Sequence, residues 1–84
     1  MSIYERLAAA KTRTIGTKQT LKAVQRDRAA VVYVARDAEE HVVRELLRLC
    51  REKGVEVVYA DSMQKLGQAC GIQVGAASAA IIEE

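Results

Sequence analysis

A short polar stretch near the N-terminus holds the residue types best suited to binding an anion. It runs from Gly16 to Lys22 and lies where an extended segment is expected to become a helix. Glycine lets a ligand approach the backbone closely because it has no side chain. We expect Thr17 to be the N-cap, so that the unpaired N–H groups behind it point outward at the positive end of the helix dipole. Such a surface suits phosphates and the edges of nucleic-acid bases.

Basic side chains are concentrated around this stretch. Lys18, Lys22 and Arg26 are spaced four residues apart, which places them on one side of a helix. Up to Arg28 the chain has seven basic and two acidic residues, hence +5, whereas the remainder has six basic and nine acidic residues, hence −3. This asymmetry indicates a polyanionic partner at one end of the molecule, although a solvated face of an ordinary domain would show the same charges.

A second unusual segment is the short connection from Ile72 to Gly75. It places Ile72 and Val74 between two glycines, where turn chemistry alone would favour polar residues. Two interpretations remain open from the sequence. Either both side chains fold inward as part of the core, or they present apolar contacts to a ligand such as an extruded base, with Gln73 between them.

Helix and strand patterns alternate along the chain. Residues 30–35 form a near-continuous apolar, β-branched run, which is typical of a central strand covered on both faces. We expect helices over about 3–11 and 17–26, from the 37–40 turn to about 53, and from the 61–62 turn to 70. We expect strands over about 12–15, 30–35, 55–60 and 77–82. This order predicts an α/β fold, a three-layer α/β/α sandwich with a four-stranded mixed sheet, as a single domain over residues 1–84.

Residues with capping chemistry mark the expected helix ends. Asp37 has capping-box spacing to Glu40, Asp61 and Ser62 compete as N-caps of the fourth helix, and Gly54 suits a left-handed C-cap. The expected buried helix positions are Leu21, Val24, Val42, Val43, Leu46, Leu47, Cys50, Met63, Leu66 and Cys70.

The two unusual segments are expected to be neighbours. Ligands of open α/β sheets bind beyond the carboxyl ends of the strands, and Gly16 follows the first strand. If the last strand runs antiparallel to the second and third, the 72–75 loop that precedes it lies at the same edge. A basic turn beside an apolar loop could hold a bent RNA, one part gripping the backbone and the other packing against an unstacked nucleotide.

At these positions the chain resembles a kink-turn-binding ribosomal protein family, typified by the archaeal large-subunit protein seven-Ae, and its small bacterial members in particular. The similarity extends over nearly the whole chain. It is carried by Gly16-Thr17-Lys18-Gln19-Thr20-Leu21-Lys22, Leu66-Gly67-Gln68-Ala69-Cys70-Gly71-Ile72-Gln73-Val74-Gly75 and Val32-Tyr33-Val34-Ala35-Arg36-Asp37.

The resemblance implies a function and a set of contacts. Family members recognise RNA helices that are sharply bent at a bulge followed by tandem sheared G·A pairs. By analogy, Lys18, Gln19 and Lys22 would contact the guanines and nearby phosphates, and the 72–74 loop would cover the looped-out nucleotide. Ribosomal RNA, an mRNA leader or a riboswitch could supply such an RNA, and the ribosome is a possible partner. The candidate RNA-binding residues are Gly16, Thr17, Lys18, Gln19, Lys22, Arg26, Arg36, Ile72, Gln73 and Val74.

One departure from the family concerns specificity. Archaeal members usually have Asn-Glu where this chain has Lys18-Gln19. A glutamate accepts hydrogen bonds from the N1 and N2 donors of guanine, whereas Gln19 offers one carbonyl acceptor and an amide donor. Lys18 adds charge where a neutral amide would be. We therefore expect binding that depends more on phosphates and is more sensitive to salt.

Other classes of function have less support. A catalytic site is not expected, because His41 stands alone, Asp37 and Asp61 are explained as helix caps, and no metal-ligand spacing or cofactor motif is found. The alternative is a ribosomal or regulatory protein-interaction module, with only non-specific RNA affinity, that uses the acidic face of the third helix. That face is more simply explained as salt-bridged and solvated.

Composition indicates the setting of the protein. The chain has no apolar run of the length of a membrane span, and its N-terminus lacks the layout of a secretory signal, so we expect a cytoplasmic protein. Cys50 and Cys70 are expected to be buried hydrophobic residues rather than a disulfide. No oligomer interface is indicated, and a monomer is the default expectation.

Overall fold

The computed structural model describes residues 2–83 and confirms the α/β fold with a four-stranded mixed sheet. The expected domain, 1–84, extends beyond the described residues by its first and last position. The helices are α1 (Ile3–Ala9), α2 (Thr17–Gln25), α3 (Glu40–Lys53) and α4 (Met63–Ala69). The strands are β1 (Arg13–Ile15), β2 (Ala29–Ala35), β3 (Glu56–Ala60) and β4 (Ser78–Ile82).

The sheet has the strand order β1-β4-β2-β3. Strand β4 pairs antiparallel with both β1 and β2, whereas β2 and β3 are parallel. The conditional expectation of an antiparallel last strand is therefore confirmed. Because of this arrangement, the carboxyl ends of β1, β2 and β3 and the beginning of β4 all lie at one edge of the sheet.

The core consists of one apolar layer on each face of the sheet. On one face, Leu7 of α1 and Leu66 of α4 pack against Tyr33 of β2. On the other face, Val24 of α2 and Leu46 of α3 pack in the second layer. Alternate residues of β2 contribute to the two layers, which explains why the whole segment 31–35 is buried and reads as a continuous apolar run.

The expected end of the first helix is corrected by the structure. Helix α1 ends at Ala9 rather than near Lys11, because the Arg13 guanidinium donates to the carbonyls of Leu7 and Ala8, each at 3.2 Å. Arg13 also donates to the Cys70 carbonyl at 2.9 Å. A residue counted as part of the positive charge is thus a structural link between the ends of α1 and α4.

The expected capping box at Asp37 is wrong. Helix α3 begins after Glu39 without a side-chain cap, and Asp37 Oδ1 instead accepts the N–H of Met63, the first residue of α4, at 2.7 Å. Ser62 caps α4 by accepting from the Lys65 N–H at 3.0 Å. The expected left-handed C-cap at Gly54 is confirmed, with φ of 70°.

The expected buried positions of the helices are mostly confirmed, with one error. Val42 is 41% exposed, because the buried stripe of α3 runs through Val43, Leu46 and Cys50. Burial raises the pKa of both the Cys50 and the Cys70 thiol. Within residues 2–83 no helix could span a bilayer, and α3, with 14 residues, is the longest of them.

Candidate nucleic-acid interface

The beginning of α2 is built differently from the sequence expectation. Gly16, not Thr17, is the N-cap residue, with φ of 95° and ψ of 153°, and it makes no side-chain cap. Thr17 is the first helical residue, and its hydroxyl is paired with the Ser78 hydroxyl at 2.8 Å. The backbone angle at Gly16 is one that residues with a Cβ rarely adopt, so the turn requires glycine.

Three hydrogen bonds fix this turn to the sheet. The Gly16 N–H donates to the Ser78 carbonyl at 2.8 Å, beside the pairing of the Thr17 and Ser78 hydroxyls. One turn further along α2, the Thr20 hydroxyl pairs with that of Thr14 on β1, also at 2.8 Å. Ser78 and Thr20 are fully buried, so these contacts satisfy hydroxyls that would otherwise be left unpaired.

The turn therefore presents unpaired donors to the surface. The first intrahelical bond of α2 runs from the Thr20 N–H to the Gly16 carbonyl at 3.0 Å. The N–H groups of Thr17, Lys18 and Gln19 precede this bond and are left for an external acceptor. No atom would lie within 4 Å of a Cβ built on Gly16, which means that the backbone there is open to close approach.

The polar side chains of α2 are also available. Lys18, Gln19 and Lys22 are exposed, and within residues 2–83 none of their side chains makes a hydrogen bond or an ion pair. A groove of about 300 Å³ runs beside them along the helix. It is lined by Thr14, Gln19, Lys22, Ala23, Arg26, Arg28 and Ile82. This groove carries three cations and no carboxylate.

Each of the two interpretations of the 72–75 loop holds for one of its two apolar residues. Ile72 is half-buried and packs against the core layer beneath α1 and α4. Val74 is 70% exposed, the largest exposure among the large apolar side chains of residues 2–83. Gln73 is exposed beside it. The loop thus anchors itself through one apolar residue and presents the other to solvent.

A close approach between α4 and this loop was not identified from the sequence. A Cβ built on Gly67 would lie 2.0 Å from the Val74 carbonyl oxygen and 3.3 Å from the Gly75 Cα. The loop is tied to α4 by the Ile72 N–H donating to the Gly67 carbonyl and by the Ala76 N–H donating to the Met63 carbonyl, each at 3.0 Å. A glycine inside an amphipathic helix was the available signal, because it weakens a helix unless another backbone packs against it.

The structure brings the Gly16 turn and the entrance to β4 together, but it places Arg36 elsewhere. Arg36 follows β2, and its guanidinium lies over the Tyr59 ring of β3, 5.4 Å from the ring centroid. Strand β3 is at the opposite side of the sheet from β1. Arg36 therefore lies at the same end of the strands as the Gly16 turn. It lies beside β3, however, and the Gly16 turn lies beside β1, at the other side of the sheet.

The residues considered for catalysis have other partners. Asp37 caps α4, and Asp61 is hydrogen-bonded to the Tyr4 hydroxyl at 3.1 Å and lies 3.5 Å from the Lys65 ammonium. His41 is exposed, with Glu39 at 3.3 Å. No group of His, Cys, Asp and Glu within residues 2–83 could hold a metal ion.

The acidic side chains of α3 are largely paired with arginines of the same helix. Arg48 bonds to Glu45 and, at 2.5 Å, to Glu52, while Arg44 lies 3.8 Å from Glu40. The hydrogen bond from Arg48 lowers the pKa of the Glu45 carboxyl. This face has the pattern of a solvated, salt-bridged helix.

Comparisons with known proteins agree on one family. The sequence model of the ribosomal protein L7Ae/L30e/S12e/Gadd45 family matches residues 1–84. A protein of Caldanaerobacter subterraneus named as an RNA-binding protein is 57% identical over 68 residues, which are 81% of this chain and 83% of the relative. A Bacillus pumilus protein, also named as an RNA-binding protein, is 47% identical over 79 residues, which are 94% of this chain and 96% of the relative.

A solved structure agrees with this grouping. The Giardia lamblia 15.5 kD RNA-binding protein superposes with a TM-score of 0.85 at 32% identity, covering 96% of this chain and 68% of that protein.

Proposed function

This chain belongs to the ribosomal protein L7Ae/L30e/S12e/Gadd45 family, and we propose that it is a non-catalytic RNA-binding protein that recognises and stabilises kink-turns. Relatives named as RNA-binding proteins align over most of their length and most of this chain, which supports the RNA-binding part. The kink-turn, with its tandem sheared G·A pairs, follows from the family resemblance of the 16–22 and 66–75 segments.

The observation that carries the proposal is the hydrogen bond from the Gly16 N–H to the Ser78 carbonyl, at 2.8 Å. It joins the polar turn of α2 to the strand that the 72–75 loop enters. A single RNA can therefore meet both a set of free donors and an exposed apolar side chain at one edge of the sheet. RNA with unstacked bases is recognised by this combination of polar contacts and apolar packing.

Each part of the interface has a proposed role. The free N–H groups of the first turn of α2 would bind a phosphate or a base edge at the positive end of the helix. Gln19 would read the guanines of the G·A pairs through its amide, whereas Lys18 and Lys22 would contact phosphates. Arg26 continues the basic stripe of α2 by one more turn.

The 72–75 loop would cover the looped-out nucleotide. Val74 presents an exposed apolar surface to the base, and Gln73 supplies an amide for its polar edge. Ile72 would support the loop from below rather than touch RNA, because it packs against the core. A protein that contacts the bent RNA and not the straight form shifts the equilibrium toward the bend by the difference in its affinities.

A gel-shift titration tests the recognition. It compares a kink-turn RNA with a matched duplex in which the G·A pairs are replaced by G·C. We expect the kink-turn RNA to bind at least about tenfold more tightly, which corresponds to about 1.4 kcal/mol. Equal and weak binding to both would contradict kink-turn recognition and leave only a basic surface.

A double variant tests whether the correct helix has been assigned. Gln19→Ala/Lys22→Ala should weaken binding of the kink-turn RNA, because it removes one amide and one phosphate contact. Arg6→Gln is the matched control, since Arg6 is an exposed cation on α1, in the other helix layer. Unchanged affinity of the double variant would mean that α2 does not enter the RNA.

A further inference from the structure

The positive surface of α2 does not stop at its N-terminal turn. Lys22 and Arg26 follow Lys18 at four-residue intervals, and Arg28 lies just beyond the end of the helix. Lys22, Arg26 and Arg28 line one groove. Lys18, Lys22, Arg26 and Arg28 are exposed, and within residues 2–83 none of their side chains is paired. A row of cations without internal partners is available to a polyanion along its full length.

The length of this row is large compared with one phosphate contact. Arg26 comes eight positions after Lys18, which corresponds to about 12 Å of helix at about 1.5 Å per residue. Phosphates of one duplex strand advance by about 3.4 Å along the axis, taking the value for DNA. The row therefore spans on the order of three to four base pairs, more than the tandem G·A pairs alone.

The far end of α2 would repel phosphates if its charges were not compensated. A helix C-terminus carries a negative partial charge, because its last carbonyls are unpaired. Lys53 of α3 reaches this end and donates to the Gln25 carbonyl at 3.3 Å. Arg26 and Arg28 flank the same end. The negative end of α2 is thus surrounded by three cations.

The carboxylate nearest to these arginines along the chain is also neutralised. Asp27 lies between the two arginines in sequence, and the Lys53 ammonium contacts its Oδ1 at 2.8 Å. Asp27 has a left-handed backbone, with φ of 58°, a conformation that aspartate and asparagine tolerate better than other residues with a Cβ. The cation that compensates Asp27 comes from a neighbouring helix, and so both arginines remain free for a ligand.

We infer that this end of α2, formed by Arg26 and Arg28 with Lys53 as a positioning residue, is a second phosphate site for the backbone of the RNA stem that continues beyond the G·A pairs. This inference deepens the proposed function, on which it rests. Arg28 contacts the stem phosphates. Lys53 pairs with Asp27 and so reduces the repulsion between the Asp27 carboxylate and the approaching RNA backbone.

The stem length of the RNA tests the site. Arg28→Gln is compared with the unaltered protein on two kink-turn RNAs, one with the stem ending at the G·A pairs and one extended by a full helical turn. We expect about threefold to tenfold weaker binding of the long RNA and unchanged binding of the short one. The salt slope, log Kd against log salt concentration, should fall by about 0.9 for the long RNA if one phosphate contact is lost.

The controls separate this site from kink-turn recognition itself. Arg6→Gln should leave affinity and salt slope unchanged on both RNAs, because Arg6 is an exposed cation in the other helix layer, where it lies 3.8 Å from Glu56. Equal effects of Arg28→Gln on the short and long RNA, or no effect on either, would overturn the second site. Failure of both RNAs to be preferred over G·C duplexes would instead overturn the proposed function.

A rescue experiment tests the role of Lys53. Lys53→Gln should weaken binding of the long RNA by about threefold to tenfold, since it uncovers Asp27 beside the phosphates. Adding Asp27→Asn should restore the affinity, because the asparagine keeps the backbone conformation and carries no charge. A Lys53→Gln/Asp27→Asn protein that binds no better than Lys53→Gln would contradict the positioning role, as would a single variant that binds like the unaltered protein.

Discussion

Replacing Gly67 with alanine should displace the 72–75 loop while leaving the beginning of α2 in place. The added Cβ would lie 2.0 Å from the Val74 carbonyl oxygen, which would have to retreat by 1.4 Å to reach the 3.4 Å of an ordinary contact. Small changes cannot absorb this, because the loop backbone is hydrogen-bonded to α4 on both sides of the clash. We therefore expect the loop to separate from the helix.

Three contributions determine the change in the free energy of unfolding of Gly67→Ala. Overpacking costs about 1–3 kcal/mol. Losing the hydrogen bond between the Ile72 N–H and the Gly67 carbonyl costs about 1 kcal/mol. Alanine returns about 1 kcal/mol, because it has a better helix propensity than glycine. The net loss in the free energy of unfolding is then about 1–3 kcal/mol, measurable by urea denaturation.

RNA binding by Gly67→Ala separates displacement of the 72–75 loop from a general loss of stability. We expect affinity for a kink-turn RNA to fall by about tenfold, because the loop no longer covers the looped-out nucleotide. Gly54→Ala is the matched control. It should cost about 1–2 kcal/mol through its positive φ, yet it lies at the opposite end of β3 from the 72–75 loop. Because Gly54 adjoins Lys53, both variants are compared on the short RNA whose stem ends at the G·A pairs, and the control should bind it like the unaltered protein. A Gly67→Ala protein that is more stable than the unaltered chain and binds RNA equally well would refute this reasoning.

Three further results are expected. Gly16→Ala should cost about 1 kcal/mol of stability through its backbone angle and weaken RNA binding, read by urea denaturation and gel shift; unaltered values for both would contradict the assigned turn. Val74→Ala should weaken RNA binding with a stability change within about 0.5 kcal/mol, whereas Ile72→Ala should lower stability by about 1–2 kcal/mol. A larger loss of stability for Val74→Ala than for Ile72→Ala would contradict the assignment of Ile72 to the core and Val74 to the surface. Cys50 and Cys70 should resist thiol reagents in the folded protein and react in urea, because burial raises both pKa values; rapid modification of the folded protein would contradict their burial.

The fold could be predicted largely from local patterns. The 30–35 run predicted a central strand because burial on both faces removes the polar alternation of an exposed strand. Gly54 predicted a C-cap because a left-handed residue there favours glycine. These features depend on neighbours in sequence, so one sequence was enough to find them.

The errors arose where a side chain bonds to a distant segment. Thr17 and Asp37 have the chemistry of local N-caps, but the first pairs with Ser78 and the second caps α4. Arg13 resembled the other basic residues, yet its guanidinium joins α1 to α4. In each case the partner is brought close only by the completed sheet, and the sequence provides no spacing that would identify it.

The candidate interface could be anticipated in position but not in detail. The sequence placed Gly16 and the 72–75 loop at one edge of the sheet on the condition that the last strand is antiparallel, and the structure supplies that direction. It left open whether Ile72 and Val74 were core or surface, because both are apolar and separated by one residue. The close packing of α4 at Gly67 decides this, since it fixes the path of the loop.

Bending of the RNA on addition of the protein tests kink-turn recognition most directly. Fluorescence energy transfer between dyes on the two stems reports their approach, in buffer without divalent cations so that the free RNA remains extended. We predict that transfer rises to a saturable plateau for an RNA with G·A pairs and stays at its starting value for the matched G·C duplex. Saturable binding without a rise in transfer, or an equal rise for both RNAs, would contradict recognition of the kink-turn.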